Sequence, residues 1–159
     1  MKTLAILSAA CGVAFMSAAS AANITIYYSP TCPHCHHARD FINNTLVYEY
    51  PNLTVSEVNV TVGENSKTVS DAFKKCEYES RGVPMIVVGE KCFQGYADFM
   101  QQQLRDAVEV DLSDAEKATA AENKKAMEEN AEQFKQEHAD RVNAISEFKA
   151  ASQDEAKKK

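Results

Sequence analysis

The sequence predicts a three-layer α/β domain that ends in a long, charged helix. Three observations carry this. Short runs rich in Ile, Val, Tyr and Thr alternate with stretches of helical period between residues 23 and 110, the order expected of a sheet covered by helices. Pro and Gly fall between these runs, at Pro30, Pro51, Gly82 and Gly89, where the chain has to turn. From Ser113 onward the composition shifts to Ala, Glu, Lys and Gln with no Pro or Gly, which suits one continuous helix.

The first residues stand apart. Lys2 supplies a positive charge, residues 4–16 are apolar and uncharged, and Ala19-Ser20-Ala21 offers the small residues of a cleavage site. This is the pattern of a secretory signal peptide removed after Ala21. The apolar stretch is too short for a stable membrane span. The expected organisation is a signal peptide over 1–21, a folded domain over 22–110 and a charged helical tail over 111–159. The protein is expected to be periplasmic or secreted. Cys11 leaves with the leader; Cys32, Cys35, Cys76 and Cys92 remain, in a compartment where disulfides form. The net charge of −6 is spread along the chain, and no basic and aromatic stripe occurs, which argues against a nucleic-acid partner.

Residues 23–28 alternate Ile24, Ile26 and Tyr28 with Thr25 and Tyr27 and read as a strand. Ser29-Pro30-Thr31 breaks it. A helix is expected over 33–43, with Pro33 at its first position, where the missing N–H has no intrahelical use. Asn43-Asn44 and Pro51 bracket a loop. A second strand is expected over 53–62, from Leu53, Val55, Val58 and Val60. A helix over 66–80 would place Val69, Phe73 and Cys76 on one face, and Arg81-Gly82 would end it. Residues 85–88 and 91–94 read as two strands joined by a tight turn at Gly89-Glu90. A last helix over 97–110 would turn Phe99, Leu104 and Val108 inward. The order β-α-β-α-β-β-α gives two parallel βα units, a hairpin and a helix.

In the tail, Ser113-Asp114-Ala115-Glu116 is a capping box. One helix of roughly 30–35 residues is expected to follow, frayed at Lys157-Lys158-Lys159. Met127, Ala131, Phe134, His138, Val142, Ile145 and Phe148 fall near a 3-4 spacing. That seam suits either a helix lying back on the domain or a homodimeric coiled coil.

Cys32-Pro33-His34-Cys35 carries the chemistry. Disulfide exchange needs a thiolate nucleophile, a good leaving thiol and an accessible sulfur. Between a strand and a helix, Cys32 falls at a helix N-terminus, where unpaired N–H groups and the macrodipole favour negative charge. His34 adds a hydrogen-bond donor or a positive charge. Cys35 lies one turn further in. Cys32 is therefore expected to attack, and Cys35, the more buried thiol, to resolve. Cys76 and Cys92 are expected to form a structural disulfide, with two buried free thiols as the alternative. Cys32, Cys35 and the run His34, His36, His37 also suit a soft metal. Consecutive helix residues point different ways, however, and no metal is assigned.

Three segments occur in order: Ile26-Tyr27-Tyr28-Ser29-Pro30-Thr31-Cys32-Pro33-His34-Cys35, Val83-Pro84-Met85-Ile86-Val87-Val88-Gly89, and Gly95-Tyr96-Ala97-Asp98-Phe99. Together they resemble the glutaredoxin branch of the thioredoxin superfamily, over about residues 23–110. The Cys-Pro-His-Cys tetrapeptide itself resembles that of the DsbA disulfide oxidants. The resemblance implies a thioredoxin-like (glutaredoxin-type) three-layer α/β sandwich, here with a long C-terminal α-helix. It implies a cis peptide at Pro84 and a catalytic set of Cys32, Pro33, His34, Cys35 and Pro84. It also implies Val83, Tyr96, Ala97 and Asp98 as positions that contact substrate or glutathione. Ser29 departs from it by standing where glutaredoxins carry a lysine, and Gln94-Gly95 by standing where they carry Gly-Gly.

The expected function is that of a protein-disulfide oxidoreductase whose redox-active disulfide is Cys32–Cys35. The expected partners are exported proteins with thiols or disulfides, and a redox partner at the inner membrane. No cofactor is expected. Two alternatives stay open: a glutaredoxin-type reductase with glutathione as co-substrate, and a zinc or copper carrier. The direction of electron flow is open as well.

Overall fold

Alternation builds the sheet. In β1 (Asn23–Tyr28), Ile24, Ile26 and Tyr28 face one layer and Tyr27 the other, as the two-residue period of a strand requires. The computed structural model describes residues 22–150. The expected leader with Cys11, and the Lys157-Lys158-Lys159 end, lie outside the described residues.

β1 pairs parallel with β2 (Thr54–Asn59) and antiparallel with β3 (Met85–Val88), and β3 pairs antiparallel with β4 (Lys91–Gln94). A short strand, β5 (Ile145–Glu147), adds to the outer edge of β2 in parallel, so the sheet order is β4-β3-β1-β2-β5. The turn between β3 and β4 uses Gly89 at φ +57°, a left-handed conformation that suits glycine.

Helices cover both faces. α1 (Pro33–Phe41) runs without a break through a wide π-type turn (Ile42–Leu46) into α2 (Val47–Glu49). The loop expected at Asn43-Asn44 is thus helical. Ile42, Leu46 and Val47 are fully buried, and Asn43 spends its amide on Glu57, so tertiary contacts override the weak helix propensity of asparagine. Among the described helices α3 (Ser66–Lys75) covers the opposite face, where Val69 and Phe73 pack on Tyr27, Val58 and Met85. It stops five residues short of the expected Ser80, because Glu77 takes a left-handed φ of +56°. β2 ends at Asn59, whose side chain accepts the Thr61 N–H at 2.9 Å and turns the chain away.

α4 (Gln101–Val108) joins α1 on the first face through Leu104, Ala107 and Val108. It is preceded by one 3-10 turn, Asp98–Met100, which shifts the helical phase. Phe99, expected inward, is consequently 78% exposed. The result is a three-layer α/β sandwich, with α1, α2 and α4 on one face of the sheet and α3 on the other.

The long C-terminal helix α5 (Asp114–Glu137) begins with the expected capping box: Ser113 Oγ accepts the Glu116 N–H and Glu116 returns to the Ser113 N–H. Its 24 residues fall short of the expected run. Asn130 leaves helical geometry and recaps the next turn by accepting the Gln133 N–H at 3.2 Å. Beyond Glu137 the chain forms a 3-10 stretch (Ala139–Ala144) and then β5. Of the apolar seam, Met127, Phe134 and Ile145 pack on the main core and Phe148 on the smaller one. Arg141 donates to the carbonyls of Val47, Tyr50 and Leu53 at 2.8, 2.9 and 3.0 Å. Among the described residues, no helix is long and apolar enough to cross a membrane.

Candidate redox site

Cys32 follows β1 by one turn and is the N-cap of α1, with Pro33 at the first helical position. The turn is set by Ser29, whose carbonyl accepts the Cys32 N–H at 3.1 Å. An N-cap side chain faces the unpaired N–H groups of the first turn. Cys32 Sγ accordingly accepts the Cys35 N–H at 3.2 Å. The residue is half-buried, whereas Cys35 is 1% exposed. Both sulfurs are free thiols.

Burial and the hydrogen bond with Cys32 push the Cys35 thiol up to about 12. Cys35 therefore holds its proton at neutral pH. The same helix turn thus produces two unlike cysteines.

The Val83–Pro84 peptide bond is cis. The Cys32 thiol donates to the Val83 carbonyl at 3.6 Å, so this turn faces the Cys32 sulfur across a gap in sequence of 51 residues. The Gly95 N–H donates to the Pro84 carbonyl at 2.7 Å and ties on the segment leading to Tyr96, Ala97 and Asp98. Tyr96 is buried, stacks at 6.1 Å from Phe41 and lies in the core cluster that includes Cys35. Its hydroxyl accepts from Gln101. Asp98 is exposed and Ala97 half-buried. The structure thus brings Cys32, Pro33, Cys35, Val83 and Pro84 together, with the Tyr96 loop beside them.

The three histidines diverge. His34, His36 and His37 are all exposed, and His36 Nε2 lies 2.8 Å from the Pro30 carbonyl. Among the described residues no group of three or more His, Cys, Asp or Glu side chains is arranged to hold a metal. Cys76 and Cys92 form a disulfide that joins the end of α3 to β4, with Cα atoms 5.8 Å apart.

Sequence reasoning missed a buried ion pair under the site. Arg39, one turn past Cys35, donates to Glu57 at 2.9 and 2.6 Å and lies over the Tyr28 ring at 4.1 Å. Glu57 interrupts the apolar pattern of β2 at a position that is 5% exposed. An inward-facing acid in a strand is a visible signal, but its partner lies 18 residues earlier in the chain.

No protein-family model matches the sequence, and no curated protein matches it. Among solved structures, a glutaredoxin from Archaeoglobus fulgidus is similar at 20% identity and a TM-score of 0.41, over 54% of this chain and 84% of its own. The solution structure of a protein classed as a thioredoxin from Neisseria meningitidis is similar at 20% identity and a TM-score of 0.36, over 60% of this chain and 78% of its own.

Proposed function

We propose that the protein is a thiol–disulfide oxidoreductase that exchanges its Cys32–Cys35 dithiol or disulfide with exported proteins. The observation that carries this reading is the asymmetry of the pair. Cys32 is half-buried at a helix N-terminus and its Sγ accepts an N–H at 3.2 Å, while Cys35 is 1% exposed and holds its proton. One sulfur is built to meet a partner and the other to wait.

In the oxidising direction, a client thiolate attacks Cys32 Sγ. The Cys32–Cys35 bond breaks, its electron pair leaves on the Cys35 sulfur, and that sulfur takes up a proton. A second client thiolate then attacks the client sulfur of the mixed disulfide. The client gains a disulfide and Cys32 is released as a thiolate. In the reducing direction Cys35 attacks Cys32 of the mixed disulfide and frees the client thiol.

An extended client segment can pair with the Val83 backbone beside the sulfur, as an added strand does. The leader pattern of residues 1–21 supports export, and with it a redox partner at the inner membrane. Glutathione, on Val83, Tyr96, Ala97 and Asp98, is the co-substrate of the second reading; the bond from Gly95 to Pro84 sets that loop beside the sulfur.

Equilibration of the protein in glutathione redox buffers tests the proposal. A Cys32–Cys35 disulfide should form and reverse, at a potential near ~−120 mV for an oxidant or ~−270 mV for a reductase. Accumulation of glutathione on Cys32 during turnover would favour the second reading. Absence of a Cys32–Cys35 disulfide at every buffer ratio would sink both.

A further inference from the structure

The turn that faces Cys32 hangs on an exposed loop. Between Cys76 and Val83, residues Glu77, Glu79, Ser80, Arg81 and Gly82 are all exposed. Only Tyr78 in this segment is half-buried and packs on the smaller core, so packing fixes little of it beyond that side chain. Yet it ends in the Val83 carbonyl, 3.6 Å from Cys32 Sγ, where a displacement of an ångström would spoil pairing with a client.

What holds the loop is β4. The Cys76–Cys92 disulfide closes its start. Tyr78 Oη donates to the Cys92 carbonyl at 3.1 Å. Gln94 Nε2 donates to the carbonyls of Ser80 at 2.7 Å and Gly82 at 3.2 Å. Contact there is close: a Cβ on Gly82 would lie 3.2 Å from the same Gln94 nitrogen. Cys92 and Gln94 are two apart on one strand and so share a face, and each secures a different stretch of the loop. Both the bridge and the amide anchor carbonyls or backbone, so together they fix the course of the chain up to Val83.

We infer that the Cys76–Cys92 disulfide, Tyr78 and Gln94 form a clasp that positions the Val83 turn for polypeptide clients. The inference rests on the oxidoreductase reading. The clasp touches neither Cys32 nor Cys35, so its residues are positioning residues. A small disulfide needs only access to Cys32 Sγ. An extended polypeptide also needs the Val83 backbone in place. Loss of the clasp therefore separates the two kinds of substrate.

The test uses the full chain in two variants. The double variant Cys76→Ala/Cys92→Ala removes the bridge and leaves no lone thiol; Gln94→Ala keeps the bridge and removes the carbonyl contacts. Exchange is measured with an unfolded polypeptide carrying one disulfide and with hydroxyethyl disulfide. Amide hydrogen exchange is followed over residues 78–83 and over α1. In each variant KM for the polypeptide should rise about tenfold, as expected for one to two net hydrogen bonds. Its kcat and both constants for hydroxyethyl disulfide should hold. Exchange over 78–83 should speed up while α1 stays protected.

An unchanged KM for the polypeptide, an equal loss with both substrates, or unchanged protection over 78–83 overturns the clasp. If the double variant does not fold, Gln94→Ala decides alone. If the wild-type protein neither reduces these disulfides nor oxidises the reduced polypeptide, the oxidoreductase reading fails, and hydrogen exchange still decides whether the loop is held in this way.

Discussion

The backbone N–H of Cys35 donates to Cys32 Sγ at 3.2 Å, and this one bond orders the pair: the acceptor residue is half-buried while the donor residue is buried. Alkylation should follow that order. In the native, reduced protein at neutral pH, iodoacetamide is expected to label Cys32 and to spare Cys35, which is 1% exposed and carries its proton. Mass mapping of the peptides checks it. Equal labelling of both cysteines would contradict the assigned roles.

The raised Cys35 thiol also makes a pH prediction. In the unfolded chain this thiol ionises near its ordinary value of 9.0, and in the folded, reduced protein near about 12. The folded state therefore keeps its proton across a window in which the unfolded state has lost it. The contribution is fully present below pH 9 and is lost as pH rises, by up to about 1.4 kcal/mol per pH unit. The oxidised protein has no thiol at this position. Urea unfolding of both forms from pH 8 upward should show the stability of the reduced form falling relative to the oxidised form. A difference that stays flat with pH would contradict the assignment.

Glu57 anchors Arg39 beneath the site. Its side chain is 7% exposed against 29% for Arg39. Glu57→Ala removes the paired charge and leaves a guanidinium that still reaches water in part. The cost should lie near the lower end for a buried pair, about 2–3 kcal/mol. The urea midpoint at constant slope reads it. A loss below about 0.5 kcal/mol would make the pair equivalent to a surface bridge.

Much of this fold is legible locally. The β1 alternation, the Pro33 helix start, the β3–β4 hairpin around Gly89 and the capping box at Ser113 depend on nearest neighbours, and each forms where its residues predict. What is not legible depends on distant partners or on a local shift of helical phase. Asn43-Asn44 reads as a loop until Glu57 takes up the amide. Phe99 reads as inward until a 3-10 turn shifts the phase. Ile145-Ser146-Glu147 reads as helix because its pairing strand, β2, lies some 90 residues earlier. The redox pair itself is visible from its spacing, but the difference between its two sulfurs needs the packed Cys35.

The tail offers a separate check, because one side chain ties its end to three backbone carbonyls of the domain. Arg141 satisfies three carbonyls, those of Val47, Tyr50 and Leu53. Arg141→Ala should cost about 2 kcal/mol, since buried acceptors lose their donors. It should also expose the chain after Glu137 to protease and uncover the edge of β2, with a tendency to associate. Limited proteolysis followed by mass measurement tests this. A cleavage pattern identical to that of the wild type would show that β5 is held by other means.

The central claim is that Cys32 attacks and Cys35 resolves. The most direct measurement is trapping of mixed disulfides in Cys35→Ser and Cys32→Ser variants, each mixed with a disulfide-bearing polypeptide and mapped by mass spectrometry. Cys35→Ser is expected to accumulate a stable mixed disulfide through Cys32, and Cys32→Ser to accumulate none and to lose turnover. A client attached to Cys35, or full turnover by Cys32→Ser, would contradict the account.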